Sequence, residues 1–299
     1  MIRRCSPGSR IWQGIFLCVL LAPSAPVSST DIPPVGNLPV EDVYQKGVNL
    51  FISEKYDEAE NIFRYLVKED PQNAEYTCWL AQSLAFTLGE RAMRGASKMT
   101  LLPDGKTVRD LYLRAISLDP SSERARIGYA VILRDIPGIF GGDVNKAESI
   151  LLSVIKDNPK SLSALHHLGT LYIRKKGEWE RGLEYLKKAV GIGERGSLSA
   201  EDRLQLAKTY HAIGKTYDEN LKQPAAAIPY YEKSMQIQSD SVVTLLDLAN
   251  AYRLDNQTAQ AKEMVRKAAE LIETRQYNKY RNDLTKIARQ LDMKKELNL

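Results

Sequence analysis

A recurring interval of 34 residues constrains this chain more than any other feature, because self-similarity at that period means a stack of helix pairs rather than one closed globule. Val40 to Asn73 reads VEDVYQKGVNLFISEKYDEAENIFRYLVKEDPQN. Counted from Val40, Gly47 falls in slot 8, Leu50 in slot 11, Ala59 in slot 20, Phe63 in slot 24 and Pro71 in slot 32. Small residues in slots 8 and 20 let two antiparallel helices approach closely, and the large residues in slots 11 and 24 fill the space around that contact. A proline after the second helix ends it and turns the chain into the next unit.

Five further units follow. The fourth starts at Leu162 and places Leu165, Leu168, Gly169 and Tyr172 in slots 4, 7, 8 and 11, with Gly182, Leu186 and Ala189 arriving after a one-residue insertion. The sixth starts at Val242 and gives Leu245, Leu248, Ala249, Tyr252, Ala261, Val265 and Ala268 with no insertion. The fifth has Ile213, Gly214 and Tyr217, then Ala227 and Tyr231, and Pro229 is expected to kink its second helix near the start. Unit two begins near Ala74 with Leu80, Ala81 and Leu84, but its Tyr112, Ala115 and Pro120 come 15 residues late. Unit three begins near Glu123 with Tyr129, Ala130 and Leu133, and its Ala147, Leu151 and Pro159 come five residues late. Both insertions are expected between the paired helices.

These slots resemble those of the tetratricopeptide repeat (TPR) over about 230 residues. The resemblance implies an all-α, right-handed helical solenoid of about six helix pairs. After Glu273, Tyr280, Leu284, Ile287 and Leu291 recur at spacings of four, three and four, the apolar stripe of a helix that caps the open end. The array is therefore placed at 40–273 and the capping helix at 274–299.

The first 29 residues have a different character. Arg3, Arg4 and Arg10 precede an apolar run from Ile11 to Ala22, and small residues follow, the pattern of a secretory signal peptide cleaved after Ser29. The run is far short of the roughly 20 apolar residues that cross a bilayer. Residues 30–39, with Pro33, Pro34 and Pro39, read as a linker. An exported mature chain, periplasmic or secreted, is the expectation, with no transmembrane segment. The three arginines leave with the signal, so the formal charge falls from +5 to +2, which gives no concentrated basic surface for nucleic acid. Cys5 and Cys18 leave as well, and Cys78 alone offers no intrachain disulfide. Cys18 follows Ile15, Phe16 and Leu17, not the small residues that precede a lipidated cysteine.

Two GKT triplets, Gly105 to Thr107 and Gly214 to Thr216, lack the glycine that a phosphate loop needs five residues before its Gly-Lys, and Thr100 and Thr209 stand there instead. The first is expected in a turn and the second in a helix. In a TPR array, slots 2, 5, 9 and 12 of the first helices line the concave surface. That placement selects Tyr44, Cys78, Arg124, Arg134, His166, Lys208, His211, Lys215, Leu246, Asn250 and Arg253 as the candidate wall, with Ile127, Val131 and Ile173 between them. His166, His211 and Cys78 share slot 5, yet no ligand pair lies on one helix at metal-binding spacing, so no metal or cofactor is expected. The lysine and asparagine clamp for a partner's C-terminal carboxylate is not evident, because Tyr44 and Val48 hold its starting slots. A mixed basic and apolar lining suits a protein or peptide partner, or a small hydrophobic or anionic ligand. Arg91, Arg94 and Lys98 in the long insertion read as a solvated helix face. Nothing in the pattern joins a nucleophile to a base and an orienting acid, which leaves a non-catalytic binding scaffold.

The stretch DIPGIFGGD, residues 135–143, is the insertion of unit three. Gly141 and Gly142 are expected at turn dihedrals, Asp143 as the cap of the helix carrying Lys146 and Ala147, Pro137 as a helix end, and Ile139 and Phe140 against a neighbouring unit. With the helix after it, the stretch is similar to a segment of the T-component lipoproteins of TRAP transporters and related periplasmic TPR proteins. That likeness implies a helical array working beside a solute-binding protein, as a small-ligand carrier or transport accessory. Assembly of an envelope or surface complex through the convex face is the third reading.

Overall fold

A computed structural model describes residues 39–297 apart from 137, 139 and 140. The proposed signal, most of the linker, and the expected roles of Pro137, Ile139 and Phe140 lie outside the described residues. Within them are thirteen α-helices and no strand. Six antiparallel pairs form in order: α1 (Val40–Ile52) with α2 (Tyr56–Glu69), α3 (Ala74–Met93) with α4 (Lys98–Leu118), and α5 (Glu123–Asp135) with α6 (Val144–Asp157). Then come α7 (Leu162–Leu171) with α8 (Trp179–Gly193), α9 (Ala200–Lys215) with α10 (Pro224–Ile237), and α11 (Val242–Leu254) with α12 (Thr258–Arg275). The last helix, α13 (Arg281–Gln290), packs on α11 and α12 and buries Tyr280, Leu284, Ile287 and Leu291.

The small slots act as the sequence suggests. A Cβ on Gly169 would stand 2.8 Å from the Gly182 carbonyl oxygen, and one on Gly182 would stand 2.7 Å from that of Gly169, so α7 and α8 cross backbone to backbone. Side-chain oxygens of Asn73, Ser122, Ser161, Ser199 and Ser241 cap the first helices of units two to six. The turn inside units one, four, five and six places a left-handed residue five positions before the second small slot: Glu54, Gly177, Lys222 and Asn256. Glycine accepts that conformation freely, whereas Glu54 and Lys222 hold it at a cost of about 1–2 kcal/mol.

Insertions are absorbed in three ways, set by their length. One extra residue becomes a π-turn: Tyr172–Lys176 ends the first helix of unit four, and Thr216–Asn220 ends that of unit five, where Gly214 and Ala227 stand one residue further apart than Gly47 and Ala59. Five extra residues make the loop of unit three, in which Gly141 takes φ +92° and the Asp143 carboxylate accepts a 2.9 Å bond from the Lys146 amide. That loop folds back through the Asp143 amide, which donates to the Leu133 carbonyl at 2.9 Å.

Fifteen extra residues make no loop. The insertion expected between the helices of unit two lengthens both, to 20 and 21 residues against 13 and 14 in unit one. The Gly105 to Thr107 triplet, expected in a turn, is helical within α4. Ser97 caps α4, and Arg91 bridges the hairpin to Asp104 at 2.9 Å. Pro229 lies inside α10, which also begins on a proline, Pro224.

The extra turns of α3 carry Glu90 and Met93 to the far end of the molecule. Tyr277, between α12 and α13, donates to Glu90 at 3.2 Å, and Met93 packs on the core shared by α11, α12 and α13. Glu54 receives bonds from Arg275 at 2.8 Å and from Gln238 at 3.0 Å, and Arg275 is also paired with Asp240. Repeat arrays ordinarily contact only their sequence neighbours. Here the first two units meet the last two, and the solenoid closes on itself.

Candidate functional site

Closure draws the two ends of the concave wall together around a central lumen, and α9 contributes a second crossing. This helix starts two turns before slot 1 of its unit, and the extension bears Glu201. Arg124 of α5 grips Glu201 through two bonds of 2.7 and 2.9 Å, Gln82 of α3 donates to the same carboxylate at 3.2 Å, and Gln82 accepts from Arg124 at 2.9 Å. The Arg124 guanidinium also lies 3.9 Å over the Trp79 ring and 3.7 Å from Glu75. Burial alone would raise the Glu201 carboxyl, but its bonds to Arg124 outweigh that and hold it below the ordinary range.

The structure brings most of the expected wall residues together and fastens all of these but Lys208 to a hydrogen-bonding partner. Tyr44 donates to Glu75 at 3.3 Å and accepts from Trp79 at 3.1 Å. Arg134 is buried and doubly bonded to Asp135 at 2.9 and 2.8 Å, with a third bond to Thr170 at 3.0 Å. Burial pushes the Asp135 carboxyl up, and the Arg134 guanidinium more than reverses the effect. His166 is buried with Nδ1 3.1 Å from Thr209 Oγ1. His211 Nε2 donates to Asp247 at 2.9 Å, and Lys215 reaches both Asp247 at 3.2 Å and Glu219 at 2.8 Å. Asn250 accepts from Arg253 at 2.8 Å, while Arg253 Nε is buried without a partner among the described residues. Lys208 has an exposed side chain, yet the protein around it lowers the ammonium pKa through desolvation.

Two expected wall residues are core residues instead. Cys78 has no exposed surface and packs with Tyr112 and Ile127, because α5 covers slot 5 of α3; burial pushes its thiol up to about 12. Leu246 is only 4 % exposed, since α13 packs over α11. Asp247, one position further on, takes the polar role in that unit. Among the described residues no group of three His, Cys, Asp or Glu side chains is placed to hold a metal ion, and no helix is long and apolar enough to cross a membrane.

Sequence reasoning missed Glu54, Gln82, Glu201, Asp247 and Arg275. Two of them left a signal. Asp247 is the one charged residue in the run VVTLLDLANAY, and Glu54 occupies the left-handed turn slot that Gly177 and Asn256 fill in other units.

Known proteins agree with this geometry. Residues 160–240 match a family model described as tetratricopeptide repeat. Among solved structures, the Cut9–Hcn1 hetero-tetramer of APC/C superposes with a TM-score of 0.60 at 15 % identity, covering 78 % of this chain and 40 % of that one. A human IFIT1 dimer with PPP-AAAA gives 0.58 at 21 %, covering 77 % and 50 %. TTC0263, a thermophilic TPR protein of Thermus thermophilus, gives 0.52 at 19 %, covering 71 % and 98 %. The chain thus matches half or less of the first two and nearly all of the third. Residues 160–240 therefore carry a tetratricopeptide repeat, and the six helix pairs on the expected slots give the described residues the fold of a TPR solenoid, a scaffold fold suited to protein–protein interaction.

Proposed function

We propose that the protein is an exported, non-catalytic scaffold that holds a protein partner against its concave wall. The observation that supports this most is the wall itself, where Arg124, Arg134, His166, His211 and Lys215 from consecutive first helices are already fixed by hydrogen bonds. Side chains ordered before binding lose little further entropy on contact. His211 and Asp247 resemble a base and its orienting acid, but the next group on Asp247 is the Lys215 ammonium, so the pair belongs to an ion network. Export rests on the character of residues 1–29. Because the lumen is closed, a partner segment either enters through an open end or parts the contacts around Glu54 and Arg275.

A photocrosslinking amino acid placed at Asn250 on the wall, and separately at exposed Trp179, tests this in cells that make the protein. Adducts from position 250 that vanish when His166, His211 and Arg253 are changed together are the expected result. Adducts from position 179 alone would move the contact to the outer face and end the concave reading.

A small-ligand carrier is the second reading, and closure of the lumen favours it. Native mass spectrometry of the purified protein is expected to show a bound small molecule if this reading is right; bare protein alone would reject it.

A further inference from the structure

One corner of the lumen, between α7 and α9, holds donors for which the described residues supply no acceptor. The contact of His166 with Thr209 fixes the two helices side by side, and Lys208 stands one residue before Thr209. Lys208 makes no ion pair among the described residues, and its ammonium lies 4.9 Å from the centre of the Phe86 ring on α3. Thr209 Oγ1 bonds back to the Gln205 carbonyl at 2.8 Å, and the Gln205 side-chain nitrogen on that side of α9 is buried with no partner among them.

His167 adds a directed donor. Its ring meets His166 edge to face at 5.0 Å, and Arg134 Nη1 lies 3.4 Å from its Nδ1. A guanidinium can only donate, so Nδ1 accepts and the ring proton sits on Nε2, which has no acceptor among the described residues. Burial first, and then the cations Arg134 and Lys208, hold this imidazole well below its ordinary pKa, so it is neutral near pH 7 with that tautomer. The carboxylates near the corner are engaged elsewhere: Asp135 by Arg134, Glu201 by Arg124 and Gln82, and Glu54 by Arg275 and Gln238.

We propose that this corner binds a small oxyanion, a carboxylate or a phosphate, held by the Lys208 ammonium and the His167 Nε2–H, with the Phe86 ring against any apolar portion of the ligand. Hydrogen bonds from a cation and a fixed imidazole to an oxyanion are of the stronger, charge-assisted kind. The site is the carrier reading made specific to one place and one chemistry.

Calorimetric titration of the folded full chain with inorganic phosphate and, separately, with octanoate tests it. Saturable binding of at least one probe is expected, weakened by at least about tenfold in Lys208→Met and preserved to within about threefold in Lys208→Arg. Binding of phosphate alone assigns a phosphate, and binding of octanoate alone assigns a carboxylate with an apolar tail. The bound probe should also shift the His167 Nε2 resonance of the unaltered protein, a readout that no variant's folding can confound. Flat titrations with both probes up to about 10 mM, or binding that survives Lys208→Met, overturn the site. A neutral molecule found bound in native mass spectrometry alongside flat titrations rejects the oxyanion site while leaving the carrier reading in place.

Discussion

Unit one and unit two are built on the same slots and do different work. Unit one has helices of 13 and 14 residues, packs on its neighbour through the Phe51, Phe63 and Trp79 cluster as an ordinary repeat would, and reaches the far end only through Glu54 in its turn. Unit two has helices of 20 and 21 residues, and its extra turns reach the C-terminal cap through Glu90 and Met93. The forward extension of α9, with Glu201, has the same effect from the other side of the lumen. Helix length added at two places joins the Glu54 contact in holding the array closed, with no change to the repeat joints themselves.

That contrast can be attacked at its longest reach first. Tyr277 is buried under the tip of the unit-two hairpin, and Tyr277→Ala should lower stability by about 3 kcal/mol, since truncating a buried aromatic ring leaves a cavity. Chemical denaturation measures this; a loss below about 0.5 kcal/mol would mean that the hairpin does not rest on the cap.

An ordinary joint supplies the comparison. Gly182→Ala should cost about 1–3 kcal/mol, because the new methyl meets the Gly169 carbonyl and Ile173, whereas Gly191→Ala in the same helix has open space and should gain about 0.5–1 kcal/mol. Opposite signs from two identical substitutions in α8 would establish the backbone contact as the cause.

Asp218, in the π-turn of unit five, should show itself through pH. Burial, with Asp247 and Glu219 nearby, pushes its carboxyl up to about 6. A carboxyl that binds its proton more tightly folded than unfolded stabilises the fold at low pH, and that contribution is lost as pH rises from about 4 through about 6. Asp218→Asn should therefore match the parent near pH 4 and exceed it by about 1–3 kcal/mol at pH 7. Parallel stability curves across that window would show that the site is not desolvated.

The smallest effect belongs to the second crossing. Arg124 and Glu201 are partly open to solvent, so a double-mutant cycle with alanine at each should give a coupling of about 1 kcal/mol that declines with salt. Zero coupling at low salt would remove α9 from the closure.

The repeat joints were legible in the sequence because slots 8 and 20 are a local rule: Gly47 with Ala59, Gly169 with Gly182 and Ala249 with Ala261 each announce a close approach within one unit. The wall was legible in part, since slot counting finds Arg124, His166, His211 and Lys215, but it places Cys78 and Leu246 on a surface that neighbouring helices cover. Closure was not legible. Glu54 and Arg275 are 221 positions apart, and no periodicity of one helix or one unit states which residues meet across that interval. In the 15-residue insertion the Arg91, Arg94 and Lys98 stretch was legible as helix, whereas the Gly105 to Thr107 triplet was expected in a turn because it fell where turns fall, yet PDGKTVRD continues within α4, where tertiary contact outweighs the glycine and proline it contains.

The central claim is that the first turn of the array and the end of α12 stand together in the folded protein. Ser53 and Thr274 line the same cleft beside the Glu54–Arg275 contact, so Ser53→Cys with Thr274→Cys, in a Cys78→Ala chain beginning at Thr30, brings two thiols within reach of a short bismaleimide. An intramolecular crosslink that forms in near-complete yield in native protein and disappears in denaturant is the predicted result. A protein with full helical content and no crosslink would contradict the closed solenoid.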